Sequence, residues 1–87
     1  MKSLKNAMAA LTLIADAGDP LPVAELARGL GLPRSSASRL MSALRDGGLV
    51  DQDSRTRRYV AGPLAWRLGV RHRPLGYDGD LVAGGLV

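Results

Sequence analysis

The chain has 87 residues, no cysteine and a formal net charge of +4. That length allows one small domain with a modest core, and the missing thiols exclude a disulfide framework and a thiolate metal site. No stretch is apolar for long enough to span a bilayer, and the N-terminus lacks the unbroken apolar run and cleavage site of a signal peptide, so the expected compartment is the cytoplasm.

Residues 3–17 place Leu4, Ala7, Met8, Leu11, Ile14 and Ala15 at the spacing of one amphipathic helical stripe, which Gly18, Asp19 and Pro20 bring to an end. A second helix is expected from about Pro22 to Leu30, burying Val23, Leu26, Ala27 and Leu30, with Gly31 as its left-handed stop. A third is expected from Pro33 to about Asp46, closed by Gly47-Gly48. LVDQ (49–52) and RRYVA (57–61) have strand character around the turn-like DSRT (53–56), giving a small hairpin whose Tyr59 faces the core. After Gly62-Pro63, LAWRLG (64–69) forms a short helical turn, and Trp66 with Leu64 and Leu68 is expected to pack on the first helix or to form a subunit contact, core packing being the safer reading. Residues 1–69 thus form the domain. The tail, 70–87, is broken by glycines and Pro74 and reads as a linker or the start of a linker helix. A new helix is possible near Asp80, a competent N-cap, leading to a C-terminal domain absent from this chain.

Charge is concentrated in the middle. Residues 1–33 are neutral and 74–87 carry only Asp78 and Asp80, whereas 34–73 hold nine arginines against three aspartates. A charge excess alone is equally compatible with a solvated basic surface. The arrangement is more specific than the total. VAELARGLGLPRSSASRLMS (23–42) fits the twenty-residue frame of a helix-turn-helix. Leu26, Leu30, Leu32, Ala37 and Leu40 fall where two crossing helices share a core, Ala27 where they approach closely, and Gly31 in the turn. The fold class is therefore mainly α with a small β-hairpin: a winged helix-turn-helix with a three-helix core plus wing.

Around the third helix, Arg34, Ser35, Ser38, Arg39, Ser42, Arg45 and Asp46 share one arc, while Ala37, Leu40, Met41, Ala43 and Leu44 fill the opposite one, with Ser36 on the apolar side of the border. Solvent-facing helix surfaces usually carry Glu, Lys and Gln, which support helices better than serine. Short hydroxyls flanked by guanidinium groups instead suit a helix that enters the major groove of double-stranded DNA. The candidate DNA-binding residues are Arg34, Ser35, Ser38, Arg39 and Ser42 on this helix. Arg55, Arg57 and Arg58 on the hairpin are placed for the backbone or adjacent minor groove. Asp51 and Asp53 are close enough in sequence to pair with those arginines. His72 is the lone histidine and reads as a surface residue. No activated nucleophile, spaced carboxylate pair or phosphate-cradling loop points to an enzyme, and no cofactor or metal is called for. Two rivals remain: a winged-helix dimerisation or interaction module without DNA binding, of the kind that precedes some methyltransferases, and a remnant of a larger enzyme.

The combination LAxxLGLPRSSxxRLMxxL, GGLV and YxxGPxxxxLG, spread over residues 3–69, resembles the N-terminal DNA-binding domain of IclR-type transcriptional regulators. The resemblance implies a homodimer on a roughly palindromic operator, and a separate C-terminal domain, absent here, that senses a small-molecule effector. It assigns the recognition-helix role to Arg34, Ser35, Ser38, Arg39 and Ser42, and the wing role to Arg55–Arg58. Two departures stand out. Leu21-Pro22-Val23 replaces the serine or threonine that usually caps the second helix, which removes a phosphate contact. Glycines between 69 and 85 interrupt the region of the family's linker helix.

Overall fold

The computed structural model describes residues 1–72 and Leu75. The chain runs α1 (Lys2–Asp16), α2 (Val23–Leu30), α3 (Arg34–Asp46), β1 (Val50–Gln52), β2 (Tyr59–Ala61) and α4 (Pro63–Arg71). The expected helix start near Asp80 lies outside the described residues. Three helices enclose a core of Ala10, Leu26, Met41, Leu44, Val50 and Tyr59, and the two strands form an antiparallel hairpin leaving the end of α3.

A left-handed glycine closes the end of each helix of the helix-turn-helix, at the cap of α2 and one residue past the Gly47 cap of α3. Gly31 has φ 68°, with its N–H donating to the Arg28 carbonyl (3.2 Å) and the Leu32 N–H donating to that of Ala27 (3.0 Å). Gly48 has φ 83°, with its N–H donating to Arg45 O and the Leu49 N–H to Leu44 O, both at 3.0 Å. In each case the paired bonds satisfy the last carbonyls of the helix and reverse the chain at a position where a Cβ would be strained. The first turn sets α3 across α2, with Leu26, Ala27 and Ala37 buried between them. The second launches the hairpin from the end of α3.

The hairpin is anchored by a close backbone crossing. Gly62 is buried, and a Cβ there would lie 2.5 Å from the Gly48 carbonyl oxygen and 2.7 Å from that of Val50. Its N–H donates to Leu49 O (3.0 Å), and the Leu64 N–H donates to Gly48 O (2.9 Å). On the opposite side, Tyr59 makes an isolated antiparallel bridge to Leu21. The Leu21 N–H donates to Tyr59 O (3.0 Å) and the Tyr59 N–H to Leu21 O (2.7 Å). The residue that stands in the usual capping segment before α2 therefore serves as a third, one-residue strand beside the wing. Tyr59 faces the core, as its place in the hairpin suggested.

Four expectations are corrected. The apolar stripe read on α1 is turned by about a quarter-turn from the true inner face. Ala7, Ala10, Leu13 and Ile14 point inward, while Leu4 (56% exposed), Met8 (60%) and Ala15 face out. Apolar residues cover more of α1 than this small core can hide. Trp66 is 66% exposed and Leu68 53%, so neither packs in the core; only Leu64 and Ala65 of α4 are half-buried. Ala43, assigned to the inner side of α3, is exposed. The second strand begins at Tyr59 and not at Arg57, because Arg57 has φ 64° and breaks the extended backbone.

The glycine crossing makes a paired prediction. Gly62→Ala forces two backbones apart and is expected to lower stability by about 1–3 kcal/mol. Gly69→Ala, where nothing lies within 4 Å of the added methyl, is expected to raise it by about 0.5–1 kcal/mol through helix propensity. Urea denaturation of the two variants against wild type measures both.

Candidate nucleic-acid interface

One face of α3 carries two parallel polar stripes. Arg34, Ser38, Ser42 and Arg45 recur at helical spacing along the first. They form one wall of a notch of about 390 Å³, whose other wall is the hairpin with Gln52 and Arg57, and Val23 and Tyr59 also line it. No carboxylate lines the notch. Ser35 and Arg39 lie on the neighbouring stripe, both exposed. Ser38 is half-buried within the notch.

The hairpin tip is shaped by Asp53. Its carboxylate accepts the N–H groups of Arg55 (2.7 Å) and Thr56 (3.0 Å), and its carbonyl accepts the Arg57 N–H (2.7 Å). The Thr56 amide, then the Arg55 amide, hold the Asp53 carboxyl below its ordinary value of 3.8. A folded pKa lowered in this way means that the brace is present above the ordinary carboxylate range and is lost as the pH falls through the folded value. Asp51 accepts the Gln52 N–H at 2.8 Å. Both acidic groups thus engage backbone amides near the arginines.

The three wing arginines do different things. Arg55 sits exposed at the tip. Arg57 lines the notch from a left-handed backbone position that glycine or asparagine usually fills. Arg58 reaches the other way, with Nη1 donating to the Pro20 carbonyl at 3.4 Å. The notch brings together Arg34, Ser38, Ser42 and Arg57 and leaves Ser35, Arg39, Arg55 and Arg58 outside it.

Two contributors were missed by sequence reasoning. Arg45 was placed in the exposed arc but not among the binding residues, and Gln52 was not singled out. Arg45 Nη1 donates to Gln52 Oε1 at 2.8 Å, and Gln52 Nε2 donates to the Arg57 carbonyl at 3.0 Å. The available signal was weak. In LVDQ the buried Val50 puts Gln52, two residues on, on the same side of the strand.

Residues 3–54 match the model of the IclR helix-turn-helix domain. The chain is 33% identical over 72 residues to the glycerol operon regulatory protein of Streptomyces coelicolor, covering 83% of this chain and 28% of that protein. The crystal structure of a transcriptional regulator from Alicyclobacillus acidocaldarius superposes with a TM-score of 0.75 at 28% identity, over 82% of this chain and 29% of that one. The repressor BlcR of Agobacterium tumefaciens gives a TM-score of 0.70 at 30% identity, over 79% and 27%. The chain thus spans less than a third of the length of these relatives. With the turn at Gly31, the polar face of α3 and the short hairpin all in place, the chain belongs to the IclR helix-turn-helix domain family.

Proposed function

We propose that this chain binds double-stranded DNA sequence-specifically and regulates transcription in the cytoplasm, with α3 in the major groove and the hairpin on the adjacent backbone or minor groove. The observation that carries the reading is the α3 face. An α-helix with its side chains is about 10–12 Å across and the major groove is about 12 Å wide, so a helix that docks there is helped by short side chains on its leading face. Exposed Ser35 and Ser42 supply them, and Arg34 and Arg39 supply donors for guanine edges or phosphates. Arg55, Arg57 and Arg58 extend the positive surface onto the wing. No group of three or more metal-ligating side chains occurs among the described residues, and no described helix is long and apolar enough to cross a membrane. The reading is that of a binding domain rather than an enzyme, with any small-molecule effector sensed by a separate C-terminal domain.

The chain acts as a homodimer in this reading. Leu4, Met8 and Ala15 make an exposed apolar stripe on α1, with half-buried Leu11 beside it. It runs into an apolar groove of about 570 Å³ that Ile14, Val60, Ala65 and Leu68 also line. Contiguous exposed apolar surface of this kind marks interaction sites. Pairing across a two-fold axis would present two recognition helices to an inverted repeat.

Selection of duplexes from a random pool at two salt concentrations is expected to enrich an inverted repeat, with affinity falling steeply as salt rises. No enrichment at either concentration overturns the reading. Arg39→Ala is expected to weaken binding to the selected duplex, and Arg55→Ala to weaken all duplexes alike and flatten the salt slope by about 0.9 per lost phosphate contact. Met8→Glu is expected to shift sedimentation from dimer to monomer. Arg57→Gly removes a left-handed side chain worth about 1–2 kcal/mol of strain, offset in part by added freedom of the unfolded chain. The variant is expected to melt at or above the wild-type temperature while binding DNA roughly tenfold more weakly, the size of one lost charged hydrogen bond.

A further inference from the structure

The two grooves of a duplex are separated by a ridge of sugar and phosphate. A helix in the major groove and a hairpin at the adjacent minor groove must therefore straddle one strand. The surface between α3 and the hairpin is the polar notch, with Arg34, Ser38, Ser42 and Arg45 on one wall, Gln52 and Arg57 on the other, and no carboxylate among its lining residues. Gln52 spans the gap. Its amide oxygen accepts from Arg45 and its amide nitrogen donates to the Arg57 carbonyl. One neutral side chain thereby fixes the guanidinium at the end of the recognition helix and the left-handed residue of the wing in the same place. It uses one of the five donors of Arg45, which also lines the notch.

We propose that this notch seats a single phosphate of the DNA backbone, and that Gln52 is the positioning residue that builds the seat by tying Arg45 to Arg57. The proposal rests on the DNA-binding reading above and adds to it where one particular phosphate lies and what holds its ligands. Guanidinium groups from two elements and hydroxyls from Ser38 and Ser42 match the several acceptor oxygens of a phosphodiester. A neutral amide is the residue type that can brace the arginines without competing for the anion. A glutamate there would hold Arg45 equally well but would put a negative charge beside the phosphate.

The test is a methylphosphonate scan, which removes the charge of one phosphate at a time along a duplex selected by the wild-type chain. Wild type is expected to show a position beside the α3 contacts where neutralisation weakens binding roughly tenfold. Gln52→Ala is expected to bind the unmodified duplex more weakly by a similar factor and to be indifferent to neutralisation at that position, with its sensitivity elsewhere retained. Gln52→Glu is expected to bind more weakly than Gln52→Ala, most of all at low salt. If thermal melting shows Gln52→Ala to be poorly folded, Arg45→Met removes the other end of the brace and is expected to erase the same position from the scan. An unchanged profile in the folded variants, or Gln52→Glu binding as tightly as Gln52→Ala, overturns the phosphate seat while leaving DNA binding intact. A wild-type chain that selects no duplex overturns both.

Discussion

The close passage of Gly62 over the Gly48 and Val50 carbonyls determines where the wing stands. Each strand of the hairpin is three residues long. A two-stranded ribbon of that size is not stable alone in water. It is held because Val50 and Tyr59 are buried, because Leu21 pairs with Tyr59, and because two unsubstituted backbones meet at the hairpin base. The same contact starts α4, since Leu64 donates to Gly48 one residue after Pro63. The angle between recognition helix and wing, and so the span available to a DNA strand, follows from a crossing that tolerates no side chain.

Above that base, the polar face trades local stability for charge placement. The left-handed residue of the wing is an arginine although glycine would be less strained, and this residue lines the notch across from α3. Asp53 limits the disorder that such a tip would otherwise show, because its carboxylate organises the Arg55 and Thr56 amides. The acidic residue in the most basic part of the chain thus has a structural task that does not require it to neutralise its neighbours. No polar or charged residue is buried among the described residues, so the polar chemistry is concentrated on the outside.

The elements carried by strong local signals were legible in the sequence. Gly31 between two apolar repeats could only be a turn, and Leu26, Ala27 and Ala37 could only be shared between the helices it joins. The serines of α3 stood out because they are poor choices for a merely solvated helix. Elsewhere the signal was degenerate. On α1, apolar side chains spread too far around the helix for periodicity to pick out the inner face, and burial of Ala10 instead of Met8 was decided by the space left by α2 and α3. Trp66 looked like core because tryptophan usually is, but on α4 only Leu64 and Ala65 are even half-buried. Nothing in the residue types marked Gln52 as a brace or Arg57 as left-handed. Both depend on the register of a hairpin whose loop chemistry is carried by Asp53 rather than by glycine.

The exposure of Trp66 has a practical side. It is the only tryptophan of the chain, and the described chain leaves it two-thirds open to water on α4. Its indole fluorescence therefore comes from a single wet site, and its emission will shift to shorter wavelength when something apolar covers that helix. The protein carries its own optical probe of what docks on α4, and this probe reports from a side chain that lies outside the arginine-lined notch.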